Sequence, residues 1–251
     1  MAAETMPQLI AAGETHQGCV RRHNEDNFFY MSLFPGYCLA AVADGVGGHS
    51  GGEIASYLCS YRLLADAKKF FRKNPHPEDA QLGHLLMESV VRANEDIYAA
   101  NRERRRPIPM CTTLVAALFT PQMVVVVHVG DSRAYCLRNN ECMLLTIDHT
   151  VQNELVESGV TDPRQLPGSH VISKAVGTDK FLKPEIHTYF RRKDDKYLLC
   201  SDGLTPYWDN EELAGVLSSC SSPRQVNDRL VRENLRRGAS DNVTVVTVFP
   251  E

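Results

Sequence analysis

The sequence contains no apolar run approaching the ~20 residues that a membrane-spanning helix needs. Its first residues, 1–8, include Glu4 and place no apolar stretch behind a positive region, so no secretory signal is read there. There is no broad basic field. Net charge is −4, which favours neither nucleic acid nor an anionic membrane surface. None of the eight cysteines forms a Cys-x-x-Cys pair, which excludes zinc ribbons and thioredoxin-type motifs. Several cysteines sit inside apolar runs, where they act as small hydrophobes. Together these absences describe reduced core thiols in a cytoplasmic protein.

What is present is ordinary globular material. Hydrophobic residues make up 43% and charged residues 23%, ample for a core. A length of 251 residues fits one large domain, 1–251, better than two. Short strands are read over 9–17, around Phe28-Phe29-Tyr30, and over 38–43. Ser50-Gly51-Gly52-Glu53 opens a helix whose Ile54, Leu58, Tyr61 and Ala65 share a face. Asp79 is expected to cap a longer helix to about Asn101, with Leu82, Leu86, Val90, Ala93 and Ile97 inward. Four runs from 113 to 146, joined by Pro121-Gln122 and Asn139-Asn140 turns, read as an antiparallel meander. A helix follows at 151–158, and residues 149–170 as a whole form a loop-rich insertion of the kind that often carries function. A buried strand at 196–200, a helix at 223–236 and a strand at 243–249 complete the chain.

One device recurs along this order. The apolar run ending at Ala43 stops at Asp44-Gly45, a carboxylate beside a residue whose backbone carbonyl can approach a ligand closely. Taken alone, Asp-Gly after a strand is turn chemistry. The same arrangement returns at Gly130-Asp131-Ser132 and at Ser201-Asp202-Gly203, while Asp241 precedes the last strand and Glu25-Asp26 precedes an early one. Turns alone account poorly for five such places. Converging carboxylates repel unless cations neutralise them, and all-oxygen ligation suits Mg²⁺ or Mn²⁺. Two such ions ~3.5–4 Å apart can share and acidify a water for in-line attack on phosphorus. Arg21, four residues before Glu25, either neutralises these acids or grips a phosphate with its planar fork.

The ordered set of motifs resembles the metal-dependent serine/threonine protein phosphatases of the PP2C type, in particular the short bacterial members. The matching pieces are Val20-Arg21, Asn24-Glu25-Asp26-Asn27, Asp44-Gly45-Val46-Gly47-Gly48-His49 and Gly52-Glu53. They continue through Cys111-Thr112-Thr113, Val129-Gly130-Asp131-Ser132-Arg133, Asp148-His149-Thr150, Ala175-Val176-Gly177, Ser201-Asp202-Gly203-Leu204 and Ser240-Asp241-Asn242. They run in the family order over nearly the whole chain, and the ordered set is very specific.

The resemblance implies an α+β fold, a four-layer α-β-β-α sandwich of two antiparallel sheets flanked by helices. It implies that Asp44 bridges two Mn²⁺ or Mg²⁺ ions and that Gly45 ligates through its carbonyl. Asp202 and Asp241 would complete one site, Glu25 would serve the other, and Asp131 would hold a weaker third. Arg21 would bind phosphate, and residues 149–170 would be the flap. Val46 stands where animal members carry a histidine, so the proton donor stays unassigned. The implied reaction is hydrolysis of phosphoserine and phosphothreonine by a metal-bridged water. The enzyme would act as a monomer on phosphorylated proteins and reverse a partner serine/threonine kinase. A link to secretion machinery is a further guess. No Cys-x5-Arg run is present, against a cysteine-based tyrosine phosphatase. Two rivals remain open: a serine esterase using Ser132, and a phosphatase-like binding module without catalysis.

Overall fold

The computed structural model describes residues 8–46, 51–75, 77–104, 108–160, 162, 166–168 and 171–251. Twelve strands and five α-helices follow in the order β1 (Leu9–His16), β2 (Asn27–Phe34), β3 (Tyr37–Ala43), β4 (Gly45–Val46), α1 (Gly52–Lys73), α2 (Asp79–Glu103), β5 (Cys111–Thr112), β6 (Leu114–Phe119), β7 (Met123–Val129), β8 (Arg133–Arg138) and β9 (Glu141–Leu144). Then come α3 (Val151–Glu157), β10 (Glu185–Phe190), β11 (Lys196–Cys200), α4 (Asn210–Ser219), α5 (Pro223–Arg236) and β12 (Val243–Pro250). One five-stranded sheet has the order β1-β12-β11-β8-β9 and the other β10-β7-β6-β3-β2. All named pairings are antiparallel.

Strand periodicity sorts side chains into three apolar layers. On β3, Leu39, Ala41 and Ala43 face α1 and α2, while Cys38, Ala40 and Val42 face the other sheet. On β11, Tyr197 and Leu199 join the layer between the sheets, and Leu198 and Cys200 pack beneath α4 and α5. Both faces of the central strands are therefore covered. This is why they read as continuous apolar runs rather than alternating ones. The α-β-β-α expectation holds.

Four expectations need correction. The proposed meander is split: β6-β7 belongs to one sheet and β8-β9 to the other. The chain changes sheet at Gly130-Asp131-Ser132, where Gly130 has φ +96°. Because both sheets bury both faces, the apolar pattern does not reveal the crossing. The face of α1 is also rotated from the one read in sequence. Ala55, Cys59, Leu63 and Ala67 are buried, with Ser56 and Ser60 beside them, whereas Tyr61 is 60% exposed. Small residues let α1 lie close to its sheet, and that contact outweighs the larger side chains. The cap of α2 is Glu78, one residue earlier than Asp79, in a capping box with Gln81. Finally, β10 and α4 were not foreseen. The sequence Glu185–Phe190 carries one exposed aromatic, Phe190, and no fully buried position, so its pairing with β7 is a tertiary choice. All eight cysteines are free, and six are buried, as core thiols should be.

The sheet-crossing turn yields a stability test. A Cβ on Gly130 would run into the Thr113 side chain at a positive φ, whereas Gly159 has φ +97° and open space around it. Gly130→Ala should lower unfolding free energy by on the order of 1–3 kcal/mol. Gly159→Ala should cost less, because strain acts there without a clash. Urea denaturation of the two variants measures the packing part as their difference.

Candidate active site

Asp44, Asp131, Asp202 and Asp241 converge with Arg21, Glu25 and Gly45 on one cleft of about 450 Å³. It lies where β3, β7 and β11 end and β12 begins, so each of the four aspartates is delivered by the terminus of a buried strand. All seven sequence-predicted site residues line it. His49, Gly47 and Gly48 lie outside the described residues, as do six positions of the flap, 161, 163–165 and 169–170.

Neutral hydrogen bonds fix the backbone beneath the acids. Thr113 N–H and the Thr112 hydroxyl donate to the Asp44 carbonyl at 2.8 and 2.9 Å, and Asp44 N–H donates to the Thr113 hydroxyl at 3.2 Å. Asn242 ties the early segment to the last strand. Its side-chain NH₂ donates to the carbonyls of Gln17 and His23, both at 2.9 Å, and its oxygen accepts from Glu25 N–H at 2.8 Å. The Ser56 hydroxyl of α1 donates to the Glu25 carbonyl at 2.6 Å. Gly45 must be glycine, since a Cβ would strike the carbonyls of Gly52 and Glu25.

The acids themselves are crowded and short of partners. Burial, and then the charge of Asp26, hold the Asp44 carboxyl well above the usual carboxylate range. Asp202 is raised by burial, shares a hydrogen bond with Asp44, and leaves Oδ1 buried without a partner. Burial and the charge of Asp202 push Asp131 up to about 7. Arg21 Nη2 donates to Asp241 Oδ2 at 2.6 Å, the one cation in contact with a predicted ligand among the described residues. A nest of oxygen donors, one of them orphaned, around a glycine with room for no side chain suits a hard divalent cation. Glu25, Asp44, Gly45, Asp202 and Asp241 could hold such ions, and Asp131 could hold another at the rim.

Sequence reasoning left Asp26 without a role. It is buried, accepts from the hydroxyls of Ser201 at 2.8 Å and Thr244 at 2.6 Å, and burial pushes it up to about 7. Its place beside Glu25 was the only sequence signal. A second unforeseen group lies behind Asp131. The His149 ring accepts from Gly130 N–H at 3.1 Å through Nδ1, and its Nε2–H donates to Glu185 at 2.9 Å. His128 stacks on His149 with centroids 4.7 Å apart and planes 11° from parallel. Imidazole lone pairs lie in the ring plane, so these two rings do not converge on one metal, and the His149 Nδ1 lone pair is already used. The cluster braces the Gly130 turn instead. Ser132, the esterase candidate, is 1% exposed and hydrogen-bonded to the Thr113 hydroxyl at 2.7 Å. A buried hydroxyl behind the acids is no nucleophile.

Comparison with known proteins agrees with this geometry. The family model for protein phosphatase 2C matches residues 13–237. A Listeria welshimeri serine/threonine phosphatase, Stp, is 32% identical over 243 residues, covering 96% of this chain and 95% of the relative. The catalytic domain of Mycobacterium tuberculosis PstP, solved in complex with two manganese ions, superposes with TM-score 0.82 at 33% identity, covering 96% of this chain and 98% of that one. PppA, described as a key regulatory component of T6SS in Pseudomonas aeruginosa, superposes with TM-score 0.83 at 30% identity, covering 99% and 100% of the two chains.

The raised carboxyls set a pH dependence. A carboxyl whose folded pKa exceeds its unfolded value binds more protons when folded, so its stabilisation is complete below about pH 4 and is lost as pH rises. For Asp131 and Asp26 the loss runs through about 7. In EDTA, therefore, the melting temperature should fall between acidic and mildly alkaline pH. Asp44→Asn, which removes one charge from the cluster, should flatten that fall and melt no lower than wild type at alkaline pH. Scanning fluorimetry across pH checks this. A variant that melts well below wild type in EDTA would make Asp44 a structural residue.

Proposed function

We infer the working of this site from the premise that the chain belongs to the protein phosphatase 2C family and is a metal-dependent serine/threonine protein phosphatase. Its active site takes two Mn²⁺ or Mg²⁺ ions. When bound, these supply Lewis acidity, which acidifies water and draws charge from the phosphoryl group. The chain's own residues hold, orient and screen. Asp44, which lies against Asp202, would hold both ions. Asp202 and Asp241 would complete one site, Glu25 would serve the other, and the Gly45 carbonyl would add a ligand to one of them. Asp131, at the cleft's other rim, is suited to a weaker third ion. The observation that carries this assignment is the half-buried Asp44–Asp202 pair, raised in pKa, with the Asp202 Oδ1 atom shielded from solvent and left without a partner.

Arg21 is the phosphate-binding residue in this reading. Its side chain is 55% exposed at the cleft mouth and already contacts an anion there. On leaving Asp241 for a phosphoryl group it would offer two parallel N–H donors and stabilise charge on the equatorial oxygens. Arg22 is exposed and, among the described residues, forms no ion pair with the cluster, consistent with alternation along an extended segment.

Residues 1–251 serve as one catalytic domain in this account, supported by a cleft that draws ligands from both sheets. The substrates are phosphorylated proteins, and a partner serine/threonine kinase is the source of the phosphoryl groups. No helix among the described residues is long and apolar enough to cross a membrane; in this reading the enzyme works in the cytoplasm as a monomer. The likeness to PppA supports a link to secretion machinery. The loop region 149–170 would be the flap that affects substrate choice.

Metal dependence and three single substitutions test the assignments. Turnover of a phosphothreonine peptide should require added Mn²⁺ or Mg²⁺ and vanish in EDTA; full activity after exhaustive chelation would sink the metal chemistry. Asp202→Asn should abolish turnover with the fold intact by circular dichroism. Arg21→Ala should raise KM about 10-fold with kcat little changed, since hydrogen bonds to charged groups contribute ~1.5–3 kcal/mol. Arg22→Ala should stay close to wild type. If Arg22→Ala carries the larger KM defect, the phosphate-binding arginine is misassigned by one residue.

A further inference from the structure

The outer face of α5 carries charge opposite to that of the whole chain. Arg229, Arg232 and Arg236 recur at i, i+3 and i+7, which at 3.6 residues per turn places them within about 60° of arc. All three are exposed in a protein whose net charge is −4. They line a groove of about 680 Å³ between α4 and α5. The neighbouring Arg237 is already committed: it pairs with Glu212 at 2.8 Å and lies 4.3 Å above the Trp208 ring, closing one end of the groove. The stripe is less engaged. Arg236 meets Glu233 only at 3.5 Å, Arg229 bonds the neutral Ser219 hydroxyl at 3.0 Å, and Arg232 forms no ion pair among the described residues. Glu14 acts on Arg232 electrostatically and Glu233 meets Arg236 only at 3.5 Å, while Glu212 is taken by Arg237, so the three guanidinium forks keep a surplus of positive charge along the groove.

The groove is joined to the active site. Four residues separate Arg236 from Asp241, and Tyr207 accepts from Arg237 through its backbone carbonyl and from Ser240 N–H through its hydroxyl at 3.0 Å. With a helical rise of ~1.5 Å per residue and at most ~3.5 Å per loop residue, the stripe lies within roughly four to eight extended residues of the cleft. Guanidinium groups match phosphate oxygens bidentately, and clustered arginines are a recurring way to read phosphorylated segments. The enzyme's own substrates bring that group with them.

We propose that the arginine-lined groove between α4 and α5 docks a second phosphoryl group on the same substrate chain, so that multiply phosphorylated segments are preferred. The proposal rests on the phosphatase activity and adds a second anchoring point outside the metal cleft. Its charge comes from residues with no part in bond breaking. It should therefore lower KM and leave kcat unchanged.

The test uses the full chain with Mn²⁺ and peptides bearing one phosphothreonine. A second position, four to eight residues away, carries either serine, glutamate or a non-hydrolysable difluoromethylene phosphonate. The phosphonate peptide should show a KM about tenfold below the serine peptide. Replacing Arg229, Arg232 and Arg236 together by alanine should erase that difference, with hydrolysis of a small aryl phosphate and the melting temperature unchanged. Arg232→Glu alone provides a milder variant and should reduce the preference in the same direction. The aryl phosphate reports on the metal cleft alone, so loss of catalysis and loss of docking are distinguishable. Equal KM values for the serine and phosphonate peptides in wild type overturn the proposal, as does a preference that survives the triple substitution. If the glutamate peptide gains as much as the phosphonate, the groove reads acidic charge and not phosphate, and the assignment fails. Displacement of the phosphonate peptide by single-stranded DNA at lower concentration would make the face a nucleic-acid surface and also overturn it.

Discussion

Mutual repulsion among buried carboxylates is the constraint on which this structure depends. Asp26, Asp44, Asp131 and Asp202 all have raised pKa values, and for each of them burial is the first cause. Such a cluster opposes folding unless protons or cations neutralise it. The fold therefore has to hold the acids in place by means other than attraction among them. It does so with strand ends. Asp44, Asp131 and Asp202 each follow a strand buried in the sandwich, so core packing sets their backbone positions rather than their own contacts.

Around the acids, the fastening is neutral. Thr112 and Thr113 hold Asp44 by its backbone, Asn242 holds residues 17–25, and Ser56 reaches from α1 to Glu25. Hydroxyl and amide groups can do this without adding charge to a site that must admit a dianionic phosphoryl group. Gly45 and Gly130 supply the tight approaches, one between strand and helix and one at the crossing from sheet to sheet. Cations are kept at the margins: Arg21 at the mouth, and Arg133 paired bidentately with Asp148 behind Asp131 at 2.6–3.0 Å. The arginines of α5 extend that margin outward along the surface.

Much of the site was readable because its chemistry is local in sequence. Asp44-Gly45, Asp131, Ser201-Asp202 and Asp241-Asn242 each announce themselves as an acid at the end of an apolar run. Their order along the chain carried the family resemblance. The misreadings have a common source. Splitting the meander at Gly130, rotating α1 onto Ala55 and Cys59, and pairing β10 with β7 are all decided by what lies on the far side of an element. For β6, β7 and β8, which are buried on both faces, no periodic signal distinguishes the two. Asp26 was read only as one more oxygen ligand beside Glu25, for a related reason. Its partners, Ser201 and Thr244, lie 175 and 218 positions away.

The sequence by itself determined which residues carry oxygen ligands, that their number demands divalent cations, and that strands and helices alternate around a core large enough to hold them. Only the tertiary structure decided that these acids share one cleft of about 450 Å³, which of them lose their water, and which arginine reaches them. The physical reason is that a carboxylate's chemistry depends on its desolvation and on neighbours hundreds of residues away. Asp241 meets Arg21 across 220 positions, and Asp26 meets Thr244 across 218. Composition and local spacing fix what a side chain can do, and the packing of two sheets against each other fixes what surrounds it.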